Sequence, residues 1–192
     1  VTASYTDSLN TAESVSSAAT SSVANVNDAP SGSVTISGTA VEDGVLTAAN
    51  TLTDEDVLGT ISYSWSNGDT GATTTLGQSD VGNTITVTAS YTDSLNTAES
   101  VSSAATSSVA NVNDAPSGSV TISGTAVEDG VLTAANTLTD EDGLGSFSYQ
   151  WSRAGSAISG ATSSSYELVQ SDVGSTIKVT ASYTDGQGGA ES

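Results

Sequence analysis

Ile85–Asp93 reads ITVTASYTD, with Ile85, Val87, Ala89 and Tyr91 on one side of the alternation and Thr86, Thr88, Ser90 and Thr92 on the other. A period of two is the signature of a half-buried β-strand, because successive side chains point to opposite faces of a sheet. Working outward from this strand, the same residues return. Val1–Asp56 recurs without a single change as Val87–Asp142. A tandem repeat with an offset of 86 positions therefore organises the chain, and Trp65 matches Trp151 in that frame. QSDVG at Gln78–Gly82 matches Gln170–Gly174 at an offset of 92, so six residues enter between the tryptophans and this motif, as expected of a loop.

The repeat is best cut at NDAP. Pro30 cannot donate to a ladder, and the residue before a proline is biased to extended backbone. This cut makes Asn27–Val112 one complete unit and Asn113–Ser192 a unit lacking its last strand. Val1–Val26 becomes the C-terminal strands of a preceding copy. Within a unit, Val34 and Ile36 mark strand A, Leu46, Ala48 and Leu52 strand B, and Ile61, Tyr63 and Trp65 strand C. Leu76 falls on strand E, Ile85–Tyr91 on strand F and Val101–Val112 on strand G, with turn signals such as NGDTG at Asn67–Gly71 between the runs. No segment has a helical period. The expected fold class is all-β, built as tandem sandwiches arranged end to end.

Composition narrows the function. Twenty-two acidic residues face only Arg153 and Lys178, giving a net charge of -20 that repels nucleic-acid phosphates and anionic membranes. With 35% hydrophobic residues the composition alone leans toward disorder, and the strand periodicity overrides it. No apolar run is long enough for a membrane helix, so membrane insertion is not expected. The absence of Cys, His and Met removes disulfides and the usual zinc, haem and soft-metal ligands, whereas hard oxygen ligands abound and point toward calcium. A serine nucleophile would lack its histidine base, and Lys178 lies within an alternating strand. Adjacent acids such as Glu42 and Asp43 do not form the opposed carboxylate pair of a glycosidase. No enzymatic activity is expected. GQGG at Gly186–Gly189 reads as a turn, and Trp65 and Trp151 read as core residues rather than a sugar platform.

Two resemblances add to this reading. Trp65 followed by Leu76, Asp80 and Gly82 before an alternating strand resembles the immunoglobulin pattern L-x-x-x-D-x-G, with Thr84 where that family places its tyrosine. It implies an immunoglobulin-like, Greek-key sandwich. NVNDAP at Asn25–Pro30, VEDG at Val41–Gly44 and TDED at Thr53–Asp56 resemble the cadherin-like and bacterial immunoglobulin-like repeats of large RTX-type surface adhesins. That resemblance covers the whole chain. It implies extracellular, cell-surface stalks stiffened by calcium between successive repeats. The stalk or spacer role is the expected function, and a multivalent carbohydrate- or protein-binding repeat is the alternative.

An immunoglobulin-like topology would bring the entering linker and the B–C and F–G loops to one end of a unit and the A–B and E–F loops to the other. At the joint near Asn113, the linker offers Asn111, Asn113 and Asp114, the B–C loop Asp140 and Asp142, and the F–G loop Asp185. The far end of the preceding unit adds Glu42 and Asp80. These are the candidate calcium ligands. The earlier joint has Asn27, Asp28, Asp54, Asp56 and Asp93 and is expected to bind more weakly, its upstream acidic partners lying outside this sequence. A further expectation concerns the unit that lacks a counterpart of Val15–Val26. Its open edge is to be covered either by that segment of a neighbouring molecule, in head-to-tail strand completion, or by the continuation of a longer ordered array.

Overall fold

A computed structural model describes residues 1–192. Its strands in chain order are β1 (Thr2–Thr6), β2 (Ala12–Ser16), β3 (Val34–Ser37), β4 (Val45–Asn50), β5 (Ser62–Trp65), β6 (Thr73–Thr75), β7 (Val87–Thr92) and β8 (Ala98–Ser102). They continue with β9 (Val120–Ser123), β10 (Val131–Asn136), β11 (Ser148–Arg153), β12 (Ser156–Ala157), β13 (Ser165–Glu167), β14 (Ile177–Thr184) and β15 (Ala190–Glu191). The protein is all-β. Its only helical elements are two single 3-10 turns, at Gln78–Asp80 and Gln170–Asp172.

The strands divide between two cores. In the first, the sheet β3-β4-β6 and the sheet β5-β7-β8 both contribute to one hydrophobic cluster. Leu46 and Ala48 of β4 meet Trp65 of β5 and Val87, Ala89 and Tyr91 of β7, with Leu76, Ile85 and Val109 closing the ends. These are the alternate residues that the period of two assigns inward, and the intervening Ser and Thr face out. Trp65 is buried, and its indole N–H donates to the Gly71 carbonyl at 2.9 Å, which satisfies the one polar group that the ring brings inside. The second core is smaller, with Leu132, Ala134, Trp151, Leu168 and Val179 at its centre between β9-β10-β13 and β12-β11-β14-β15. Trp151 is fully buried and stacks on Tyr166 with ring centroids 5.8 Å apart.

One expectation about strands needs correction. The pattern predicts strand G over Val101–Val112, but the strand itself is β8, Ala98–Ser102. The turn before it sets this register: Asn96 adopts a positive φ of 67°, and Asp93 Oδ1 accepts the Thr97 amide at 2.8 Å, so pairing resumes at Thr92 opposite Ala98. Beyond Ser102 the chain runs on as a strap. The amides of Ser103, Thr106 and Val109 donate to the carbonyls of Val87, Ile85 and Asn83, after which Val109 and Ala110 form parallel bridges to Val81 and Val41. The inserted residues, expected in a loop, extend it into a short hairpin. They build β12, paired with the extended end of β11 through a turn in which Ala154 and Gly155 both have positive φ.

The repeat supplies an internal control on what burial requires. β1 and β2 pair as Thr2↔Ser16 through Thr6↔Ala12, and β7 and β8 pair identically as Thr88↔Ser102 through Thr92↔Ala98. Hairpin formation is therefore local. Burial is not: Tyr5 is 61% exposed whereas Tyr91 is 5% exposed, because only the second copy has a facing sheet.

Candidate functional site

The site lies where the strap from the first core enters the second set of strands. Glu42 and Asp142 are buried and Asp114 is half-buried, and each offers a carboxylate oxygen such that all three lie within 4.8 Å of one another. Glu42 stands on the turn between β3 and β4, where its amide is fixed by the Ala110 carbonyl at 2.9 Å. Its Oε2 accepts the Val112 amide at 3.1 Å, so the strap itself ties the carboxylate to the linker. Gln78, in the amide orientation that satisfies both residues, donates to Glu42 Oε1 at 2.5 Å. Asp142 Oδ2 accepts the Asp114 amide at 2.8 Å, and the Asp142 amide donates to Asp140 Oδ1 at 2.9 Å. Tyr183 of β14 donates its hydroxyl to Asp140 Oδ2.

Charge at this joint is one-sided. Desolvation by burial, then the nearby carboxylates of Asp142, Asp43 and Asp140, raise the Asp114 carboxyl above its ordinary 3.8. Burial and the bond to Asp140 push the Tyr183 hydroxyl upward as well. Neither basic side chain of the protein serves the cluster: Arg153 pairs with Asp172 at 2.6 Å, and Lys178 is exposed on β14. The Asp185 carboxylate accepts with only one oxygen, Oδ1, from the amides of Gln187 and Gly189 at 2.8 Å each. Its other oxygen, Oδ2, is buried without a partner, as is Asn111 Oδ1. A side chain at Gly189 would collide with both Asn113 Oδ1 and Asp185 Oδ2, so these two oxygens share one small space, while Asn113 Nδ2 donates to Glu191 Oε1 at 2.8 Å.

The earlier joint repeats part of this geometry. Asp56 Oδ2 accepts the Asp28 amide at 2.7 Å, Asp54 Oδ1 accepts the Asp56 amide at 2.8 Å, and Asn27 Nδ2 donates to Glu99 Oε1 at 2.9 Å. Asn25 Nδ2 donates to Asp56 Oδ1, so an amide stands there against a carboxylate. Tyr91 donates to Asp54, and Asp93 Oδ2 is buried without a partner, as Asp185 Oδ2 is at the other joint. No three carboxylates here approach one another as Glu42, Asp114 and Asp142 do.

The structure thus assembles Glu42, Asp114 and Asp142 directly, with Asp140 bonded behind Asp142. Asn111, Asn113 and Asp185 contribute oxygens of their own around the same linker. Asp80 has a different setting: its carboxylate accepts the Gly77 amide at 3.0 Å and the Asn67 side chain at 3.4 Å, closing the 3-10 turn of its own unit. Asp43, Gln78 and Glu191 were missed by the sequence reading. Glu191 was accessible in principle, since the hairpin register that sets Glu99 opposite Tyr91 applies equally to Glu191 and Tyr183. Oxygen-only donors, buried and lacking a protein counter-charge, fit a hard divalent cation and no softer metal.

No family model matches the sequence, and no curated protein matches it. No helix is long and apolar enough to cross a membrane.

Proposed function

We propose that the protein is a run of tandem immunoglobulin-like, Greek-key sandwiches that act as structural spacers in a large extracellular adhesin of the RTX type, stiffened by calcium at the joints. The observation that carries this reading is the Glu42, Asp114 and Asp142 cluster, because one carboxylate comes from the end of one set of strands and two from the start of the next. A cation held there would couple the two sets. Calcium takes about six to eight oxygen ligands, and Asp140, Asp185, Asn111 and Asn113, on the same linker and loops, are the residues that would supply the rest of such a shell. The identical copies favour a role in which repetition itself is useful, since each unit of about 30 to 40 Å adds that much reach. The absence of His and Cys and the hydrogen-bonded settings of the carboxylates support a non-enzymatic role.

Titration calorimetry of the full chain with calcium, paired with small-angle scattering in calcium and in chelator, tests the proposal. Saturable binding below millimolar calcium with a stiffer particle is expected. Absence of binding, with scattering unchanged by chelator, refutes it. One observation favours a second reading, in which the repeats bind ligands weakly and multivalently: equivalent open polar grooves recur beside β7–β8 and β14–β15, lined by Ser62, Ser90 and Glu99 and by Ser148, Ser182 and Glu191. A glycan array probed with the chain is expected to stay blank on the spacer reading, and saturable binding there would favour the second.

A further inference from the structure

Thr74, on β6, carries the one buried aliphatic hydroxyl of the protein, and it is 3% exposed. Its hydroxyl donates to Asp69 Oδ2 at 2.5 Å and accepts from Asn67 Nδ2 at 3.1 Å. The same Nδ2 reaches Asp80 Oδ2 at 3.4 Å, and Asn67 Oδ1 accepts the Asp69 amide at 3.2 Å. A nucleophile, a base for its proton, and a carboxamide whose oxygen is already held by a backbone donor therefore meet between the turn NGDTG and the strand that follows it. The other nucleophile beside that carboxamide is the Gly68 nitrogen. It is engaged, because its N–H donates to the Trp65 carbonyl at 3.1 Å.

The second unit keeps the scaffold and lacks these groups. Leu46 pairs with Thr74 and its copy Leu132 with Tyr166, so a phenol stands where the first unit has the threonine. In the frame that aligns Trp65 with Trp151, Arg153 takes the place of Asn67 and Gly155 that of Asp69. Arg153 and Tyr166 both bond to Asp172, at 2.6 and 2.9 Å, which satisfies the buried acid and leaves no carboxamide beside a hydroxyl. The two units thus solve the same structural problem differently, and only the first places an acyl group against a nucleophile.

We propose that Thr74 and Asn67 join in an intramolecular ester, formed once by the folded first unit without any cofactor. The carboxamide turns to present Cγ, one bond from Nδ2, and Thr74 Oγ1 attacks it; the Oγ1–Cγ bond forms and the Cγ–Nδ2 bond breaks. The threonine proton passes to Asp69 and from there to the departing nitrogen, which leaves as ammonia, so the Asp69 carboxylate ends as it began. The Asp69 amide is placed to hold the negative charge that develops on Oδ1. Keeping the reacting groups in contact supplies the effective concentration that a poor acyl donor such as an amide needs. Asn67 follows β5 and Thr74 lies in β6, which belong to different sheets, so the ester staples the two sheets of a sandwich that has no Cys. The proposal is independent of the spacer reading and of calcium.

Intact-mass spectrometry of the full folded chain, followed through prolonged incubation at neutral pH, tests it. A species lighter by one ammonia is expected to accumulate. Its peptide spanning this region is expected to yield no backbone fragments between Asn67 and Thr74, because the ester closes that stretch into a ring. Thr74→Val keeps the shape of the side chain and is expected to abolish the mass loss, whereas Thr74→Ser retains the nucleophile and is expected to preserve it. Asp69→Asn, on an exposed turn, is expected to slow the reaction about a hundredfold or more. A parent chain that keeps its full mass overturns the proposal. Ammonia loss that persists in Thr74→Val overturns it too, as do fragments that place the ring between Asn67 and Gly68, since either result assigns the chemistry to the Gly68 nitrogen.

Discussion

Asp142→Asn is the sharpest probe of the joint, because Asp56→Asn makes the same change in the same local sequence outside any cluster of three close carboxylates. In the metal-free chain, the buried carboxylates of Glu42 and Asp142, within 4.8 Å of each other, repel by about 3.5 kcal/mol at an effective dielectric constant of about 20. The amides of Val112 and Asp114 that donate to these groups offset part of this. The asparagine oxygen still accepts the Asp114 amide, but more weakly by about 1 kcal/mol, since a charge-assisted bond becomes a neutral one. Asp142→Asn is therefore expected to raise the stability of the metal-free chain by about 1 kcal/mol, a shift of a few degrees in Tm for a unit of this size. Asp56→Asn weakens the bond from the Asp28 amide and forfeits the second one accepted from Asn25, with no repulsion relieved, and is expected to lower Tm. Calcium reverses the order. At a concentration a hundredfold above Kd, bound metal adds about 2.7 kcal/mol to the parent chain, most of which Asp142→Asn should forfeit. Thermal denaturation in chelator and in calcium reads all four numbers. If both variants lose the same stability in chelator and calcium moves neither, the joint holds no electrostatic strain and the reasoning fails.

Three further expectations follow from the same geometry. Because the Asp114 carboxyl is raised in the folded state, the folded chain holds more protons than the unfolded one between 3.8 and the raised value; metal-free stability should fall as pH rises through that window, and Asp114→Asn should flatten this slope in acid titrations followed by circular dichroism. Burial opposes the Asp172 carboxylate, yet the Val169 amide, Arg153 and Tyr166 outweigh it and hold its pKa below 3.8, so Arg153→Met should shrink the stability that the parent loses as pH drops below that value. Trp151→Ala should cost about 3 to 5 kcal/mol and unfold the second core selectively, leaving the near-ultraviolet signal of Trp65 in place; loss of both signals together would mean that the two cores do not unfold separately.

Much of the fold was legible because period-two alternation and burial coincide. Leu46, Ala48, Trp65, Val87, Ala89 and Tyr91 are all inward by pattern and all buried. What the pattern missed lies where alternation stops. Ser103–Ser107, SAATS, carries no inward and outward code, so the strap could not be separated from strand G, and its path is set by backbone bonds to Asn83 and Ala40. The joint was legible as a collection of acids but not as a geometry. Asp80 and Glu42 looked equivalent on adjacent loops; the Gly77 amide turns one into a local turn closure, while the Val112 amide aims the other at the linker. Identical sequence does not secure identical surroundings either, as Glu42 is buried and Glu128 exposed.

The strap also has a mechanical meaning. Val109 and Ala110 run parallel to the segments they bridge, and the chain leaves the first unit only two residues later. Tension applied along the polypeptide would pull the strap lengthwise against Val41 and Val81, loading its four backbone hydrogen bonds in shear, all at once, where a hairpin would peel open one bond at a time. Rupture under force is governed by the unfolding barrier rather than by equilibrium stability. A unit with a thin core can therefore hold a load out of proportion to its free energy of folding, provided that its last segment stays docked.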